Sequence, residues 1–116
     1  MPKATPIAAA QGKTCASTPT ELRLSTERAE RIAALSKTLS HPVRVQIVDL
    51  LNRYRGEVCV CEIERHFSLS QPTISHHLRV LREAGVIDGE QRGLWVYYRI
   101  VSSALEPLAD LLSCLD

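Results

Sequence analysis

Five segments of the chain carry apolar residues at helical spacing, and residues that start or stop helices bound them. Ile32, Leu35 and Leu39 recur at intervals of three and four after a Ser-Thr-Glu cap, and Pro42 opens the next segment. Residues 70–85 have a similar stripe between Ser70 and Gly85. The pattern predicts helices at residues 25–39, 42–51, 57–67, 70–85 and 102–115.

Residues 86–100 change from helical spacing to alternation, which predicts a β-hairpin. Val96, Tyr98 and Ile100 face one way along its second strand, and Gly89 and Gly93 are expected to bracket its turn. A short helix, a tight turn, a second helix and a hairpin in succession describe a winged helix-turn-helix. The predicted fold class is therefore mainly α with a β-hairpin (α+β).

The chain has 116 residues, 45% of them hydrophobic and 23% charged, which suits one globular domain. Residues 1–20 are rich in Ala, Thr and Pro and predict a mobile N-terminal arm, so that residues 21–116 form the domain. A net charge of +1 excludes a bulk polyanion binder. No secretory signal and no membrane-spanning run is visible, so we expect a cytoplasmic protein with reduced thiols and no membrane partner.

The helix at residues 70–85 carries polar residues that suit contacts with double-stranded DNA. Glutamine, serine and threonine hydrogen-bond base edges, and arginine suits phosphates. An ordinary solvated helix face is the alternative, and the hairpin that directly follows disfavours it. The candidate DNA-binding residues are Gln71, Thr73, Ser75, His76 and Arg79 on the helix and Arg92 at the hairpin tip.

The final helix is acidic and has a stripe of leucines that a small domain covers poorly. We expect it to pair with a second subunit, with help from residues 21–39, and so to form a homodimer through the N- and C-terminal helices. Cys114 lies beside the stripe and is expected to pack at that interface.

Cys59 and Cys61 are the candidate thiol ligands. On a regular helix they lie about 200° apart, so that one soft ion holds both only if the helix bends or unwinds. Three thiolates suit a pyramidal trivalent ion such as arsenite or antimonite, and Cys15 of the same or the other subunit is a candidate third ligand. A Cys-x-Cys pair is also compatible with small buried core residues.

Three stretches of the chain together resemble the ArsR/SmtB family of metal-responsive repressors, over roughly residues 24–112. They are LSHPVRVQIVDLL (39–51), EVCVCEIERHFSLSQPTISHHLRVLREAGVI (57–87) and GEQRGLWVYYRI (89–100). The resemblance implies a homodimeric winged helix that binds operator DNA without ligand and loses DNA affinity when an inducer binds.

EVCVCEI resembles the metal box of the arsenite and cadmium/lead branches, which implies that Cys59 and Cys61 are ligands. The arsenite-type box has a third cysteine where this chain has Glu64. Cadmium/lead-type members complete the site with cysteines of an N-terminal arm, and Cys15 is a single residue of that kind. Three sulfurs in total favour arsenite or antimonite over a four-thiolate cadmium or lead site.

The leading hypothesis is a transcriptional repressor of arsenical resistance that arsenite or antimonite releases from DNA. The alternatives keep the repressor but make it respond to cadmium or lead, or to oxidation of the Cys59–Cys61 pair. An enzyme is disfavoured because no Cys-x-x-Cys spacing or nucleophile–base pair is readable. A winged helix that binds only protein is the remaining alternative, and failure to bind DNA upstream of its own gene favours it.

Overall fold

A computed structural model of the chain describes residues 22–115, so the arm expected at residues 1–20 lies outside the described residues. The elements follow in the order α1 (Thr26–Thr38), α2 (Pro42–Tyr54), β1 (Val58–Cys59), α3 (Val60–Arg65), α4 (Gln71–Glu83), β2 (Ile87–Arg92), β3 (Trp95–Ile100), a 3-10 turn (Ser102–Leu105) and α5 (Glu106–Ser113). The helices α3 and α4 with the turn between them form the helix-turn-helix, and the β2–β3 hairpin is the wing. The predicted fold class is confirmed.

Side-chain caps start the helices where the sequence predicts them. The Ser25 hydroxyl accepts the backbone N–H of Arg28 at 3.1 Å at the start of α1, and the Ser70 hydroxyl accepts that of Thr73 at 3.3 Å at the start of α4. Each bond satisfies a backbone donor that has no partner inside the first turn. The short polar side chains therefore fix the first residue of each helix.

The helix predicted over residues 57–67 is wrong at its first residues. Val58 and Cys59 form the two-residue strand β1, which pairs antiparallel with Tyr98 and Tyr97 of β3. The sheet order is β1-β3-β2, so β3 is central and β1 covers the edge that the hairpin alone leaves open. Pairing with a strand distant in sequence therefore overrides the local helical pattern.

A single apolar cluster joins the helices to the sheet. Leu78 and Leu81 of α4 are almost completely buried in it, and Tyr98 of the wing packs against it. This cluster fixes α4 relative to β3. Its other buried members are Leu35, Ile47, Leu51, Val58, Ile63, Ile74, Val86 and Ile87.

The leucines of the C-terminal segment divide between two environments. Leu105 and Leu108 pack against the core of their own chain, whereas Leu112 and Leu115 are 56% and 64% exposed. The segment begins as a 3-10 turn, and α5 lies near α1, with Arg28 and Asp110 3.9 Å apart. The exposed part of the predicted leucine stripe is therefore its C-terminal end.

The prediction that Gly89 brackets the turn is wrong. Gly89 lies inside β2, opposite Tyr98. The turn is Gly93–Leu94, between the paired residues Arg92 and Trp95, and Gly93 has a φ of +64°. A Cβ on Gly89 lies 2.8 Å from the Tyr98 ring. The glycine is therefore needed for the close approach of the Tyr98 ring.

Replacement of Gly89 by alanine is expected to lower the free energy of unfolding by about 1–3 kcal/mol, because the Tyr98 ring must move within a packed core. Urea unfolding followed by circular dichroism measures it. Gly56→Ala is the control, since its Cβ meets only the Tyr54 carbonyl at an ordinary 3.7 Å. Equal unfolding free energies for the two variants contradict the expectation.

Candidate nucleic-acid interface and thiol pair

The polar side chains of α4 that the sequence selected for DNA contact lie on its solvent side. Gln71, Ser75 and Arg79 are four residues apart and therefore form one line along the helix. The Thr73 hydroxyl also lies 2.9 Å from that of Ser70, so it takes part in the cap. The residues Gln71, Thr73, Ser75, His76 and Arg79 are all exposed. The face is thus open to a major groove, where recognition helices of this motif lie.

His77 fixes the opposite side of α4, and this role was not predicted from the sequence. His77 is 5% exposed, and its Nδ1 accepts a hydrogen bond from the Arg44 Nε at 3.2 Å. Arg44 also donates to the Thr38 carbonyl at 3.1 Å, and the His41 ring lies 4.4 Å from that of His77. Burial first, and then the charges of His41, Arg44 and His76, lower the pKa of His77, which favours the neutral acceptor. The sequence signal for this burial was the position of His77, three residues after Ile74 on the buried stripe of α4.

Arg92 ends β2 just before the wing turn, and its side chain is already paired. Its Nη2 lies 2.5 Å from Glu57 Oε1 and 3.0 Å from Glu90 Oε1, and its guanidinium lies 4.9 Å from the Tyr97 ring centroid. The hydrogen bonds to Glu90 and Glu57 raise the pKa of Arg92. Arg92 was predicted from the sequence, but its partner Glu57, which lies 35 residues earlier, was not.

Cys59 and Cys61 lie at the junction of β1 and α3, where both are half-buried free thiols. Cys59 has an extended backbone, with φ −64° and ψ 143°, and is the N-cap of α3. Its Sγ accepts the backbone N–H of Cys61 at 3.3 Å. The expected separation of about 200° is wrong, because Cys59 lies outside the helix and turns its sulfur toward the first turn. The Cys59 sulfur therefore lies beside the backbone of Cys61.

The two thiols differ in acidity because one donates to the other. The hydrogen bond from the Cys61 thiol and the backbone N–H groups of Cys61 and Glu62 lower the pKa of Cys59, and they outweigh its partial burial. The same hydrogen bond, with burial and the charge of Cys59, raises the pKa of Cys61. Cys59 therefore forms the first thiolate, which is the nucleophile and the metal-binding form of cysteine.

Cys59 is expected to be alkylated faster than Cys61 at neutral pH, with the lower midpoint of the two, because hydrogen bonds lower the pKa of Cys59 and raise that of Cys61. Timed reaction with iodoacetamide across a pH series measures this. Both thiols lie in the tryptic peptide 56–65, and its fragment ions distinguish them. Equal midpoints contradict the assigned direction of the Cys59–Cys61 hydrogen bond.

Cys59 lines a shallow pocket of about 360 Å³, which does not include Cys61. Its lining residues are Tyr54, Glu57, Val58, Cys59 and Glu62. Within residues 22–115, no group of three or more His, Cys, Asp or Glu side chains is placed to hold a metal ion. The site thus offers two soft donors, and Cys15, the candidate third, lies outside the described residues.

None of the helices in residues 22–115 has the length and apolar character to cross a membrane.

Residues 41–88 match the family described as "Bacterial regulatory protein, arsR family". The biofilm growth-associated repressor of Xylella fastidiosa (strain Temecula1) is 38% identical over 86 residues, which are 74% of this chain and 74% of that protein. The arsenical resistance operon repressor of Escherichia coli K12 is 44% identical over 66 residues, which are 57% of this chain and 56% of that protein. Both relatives are named as repressors.

A solved structure of the transcriptional repressor BigR from Xylella fastidiosa has the same fold, with a TM-score of 0.62 and 36% identity. The match covers 78% of this chain and 91% of that one. The exposed α4 face, the wing and these matches define a DNA-binding winged helix-turn-helix regulator rather than an enzyme. The chain belongs to the arsR family of bacterial regulatory proteins and is a transcriptional repressor of that family.

Proposed function

We propose that this repressor binds operator DNA as a homodimer while its thiols are free, and that arsenite or antimonite releases it by binding Cys59 and Cys61. The observation that carries the proposal is the place of the two thiols. They meet at the junction of a strand that pairs with the wing and a helix that leads into α4. A change at this junction therefore reaches both DNA-facing elements.

The chemistry of the pair supports a soft, thiophilic inducer. Thiolates select such ions, and hydrogen bonds from Cys61 lower the pKa of Cys59. Trivalent arsenic and antimony take three ligands in a pyramid, so two local thiols leave one place for Cys15. The likeness to the arsenical resistance operon repressor of E. coli covers 57% of this chain and 56% of that protein, so the proposed response depends on the thiols rather than on that likeness.

Ligand binding at Cys59 is expected to weaken the N-terminal cap of α3. The sulfur of Cys59 accepts the backbone N–H of Cys61 and so caps α3. When that sulfur bonds to an arsenic or antimony atom, its lone pairs are redirected and the cap weakens. The start of α3 then shifts, and with it the turn that positions α4. A coupling of roughly 1–3 kcal/mol lowers DNA affinity about 5- to 150-fold.

The dimer is proposed from the exposed end of the C-terminal segment. Leu112 and Leu115 remain exposed on this chain, beside the contact between α5 and α1. Two copies joined there place two α4 helices in successive major grooves, about 34–36 Å apart, on a near-palindromic operator. Cys114 is the C-cap residue of α5.

Two alternatives rest on the same pair of cysteines. Cadmium or lead is the inducer in the first alternative, which requires a fourth ligand beside the thiols. Oxidation is favoured by the low pKa of Cys59 beside Cys61. In that reaction a peroxide takes two electrons and two protons from the thiols, a disulfide forms, and the peroxide leaves as two waters.

Fluorescence anisotropy of labelled DNA from upstream of the gene tests the proposal under reducing conditions. Arsenite, antimonite, cadmium, lead and zinc are titrated separately, with a peroxide arm without reductant. We expect release by arsenite or antimonite and none by zinc. Release by cadmium or lead alone, or by peroxide alone, replaces the proposed inducer with that alternative. Absence of DNA binding contradicts the proposal as a whole.

A further inference from the structure

The two arginines of the wing are held by carboxylates, and one of these comes from outside the wing. Glu57 Oε1 lies 2.5 Å from Arg92 Nη2, and its Oε2 lies 3.7 Å from Arg99 Nη1. Glu90 and Asp88 of β2 complete the network at 3.0 Å from Arg92 and 2.9 Å from Arg99. Three carboxylates thus surround two cations.

Glu57 belongs to the thiol segment. It directly precedes β1, in which Cys59 pairs with Tyr97 of β3. The Tyr97 ring in turn supports the guanidinium of Arg92. A displacement of Cys59 therefore moves the backbone that carries Glu57, and through Glu57 it reaches the wing arginines.

The network matters for DNA because the arginine side chains remain available to solvent. The side chains of Arg92 and Arg99 are 46% and 48% exposed, so a phosphate reaches them from outside. A phosphate oxygen and the Glu57 carboxylate then compete for the same guanidinium groups. Since binding of each phosphate by a cation releases counterions, this competition lowers both the DNA affinity and its salt dependence.

We propose that Glu57 competes with operator phosphates for Arg92 and Arg99, and thereby connects the state of Cys59 to the wing. The first half stands on the ion-pair geometry alone. The second half rests on the proposed function, since it requires a ligand at the thiols. Glu57 is thus a positioning residue for DNA binding, and it touches neither thiol ligand nor base.

Glu57→Gln tests the first half without any inducer. We expect operator affinity to rise about 3- to 10-fold, with a salt slope steeper by about 1 for each arginine released. Most of this gain should be lost in the Arg92→Gln background. Asp49→Asn is the control, because it removes the same charge from an exposed pair with Arg53 on α2. A purely structural role for Glu57 does not steepen the salt slope.

Glu90→Gln tests the second half, since Glu90 pairs with the same arginine but lies on β2 rather than beside β1. Both variants should bind DNA more tightly, but only Glu57→Gln should reduce the arsenite-induced fold-change in affinity, by at least threefold. Unchanged resting affinity in both variants, or the same arsenite response in both, overturns the proposal.

Failure of the proposed function gives a different pattern. If arsenite does not release the unsubstituted protein from DNA, the inducer assignment fails, while the affinity and salt slope of Glu57→Gln still decide the competition for the arginines. If arsenite releases the protein and Glu57→Gln behaves like Asp49→Asn, the inducer assignment survives and the role of Glu57 is wrong.

Discussion

Replacement of either Cys59 or Cys61 by serine is expected to leave operator binding intact and to abolish release by arsenite. A serine hydroxyl stays protonated at neutral pH and is a poor ligand for soft ions, so one substitution leaves the inducer too few thiolates. Serine at position 59 also remains a good N-cap for α3, which preserves the fold. Anisotropy titrations with and without arsenite measure both properties, and the expected loss is the whole 5- to 150-fold response.

Two further variants test this prediction. One removes Cys15, the proposed third ligand, and the other places a cysteine where this chain has Glu64. Cys15→Ser is expected to weaken the response, and an unchanged response removes Cys15 from the site. Glu64 lies three residues after Cys61 on α3, so it shares a face with it. Glu64→Cys is therefore expected to restore the response of Cys15→Ser. A normal response of Cys59→Ser or Cys61→Ser contradicts the thiol switch.

Substitutions on the exposed face of α4 should have the second large effect, which is on DNA affinity. They should distinguish contacts to bases from contacts to phosphates. Gln71→Ala is expected to cost about 1–3 kcal/mol on operator DNA and little on unrelated DNA, because a glutamine hydrogen-bonds base edges. Arg79→Ala should weaken binding to both DNAs and reduce the salt slope by about 1 per subunit, because an arginine side chain suits phosphate contacts, which carry no sequence information.

Anisotropy on operator and scrambled duplexes at several salt concentrations measures both variants. Arg53→Ala is the control, because Arg53 is an exposed cation on α2 that is paired with Asp49. An unchanged salt slope for Arg79→Ala, or an equal loss on both duplexes for Gln71→Ala, contradicts the assigned roles.

Much of the fold was predictable because local chemistry determines it. The Ser25 and Ser70 caps and the stripe of Ile74, Leu78 and Leu81 are visible in the sequence, and the structure uses each as expected. The strand β1 was not predictable, because two residues between helical segments have no periodicity of their own. Their pairing with β3 depends on a contact across about forty residues.

The candidate site was also predictable only in part. The thiol pair and the exposed face of α4 follow from residue types and spacing. The geometry of the thiols does not, because the wrong helical assignment of Cys59 made the two sulfurs diverge, whereas the strand–helix junction brings them together. The contact of Glu57 with Arg92 depends on β1 pairing and was therefore also invisible.

The most direct test of the central claim is the arsenite affinity of the protein with and without operator DNA. Binding at one site that weakens binding at another is reciprocal, so the factor by which arsenite lowers operator affinity equals that by which operator lowers arsenite affinity. Absorbance of the arsenic–thiolate bond, followed in parallel with DNA anisotropy, measures both factors. We predict equal factors of about 5 to 150. Arsenite binding of equal strength to the free and the operator-bound protein contradicts the account.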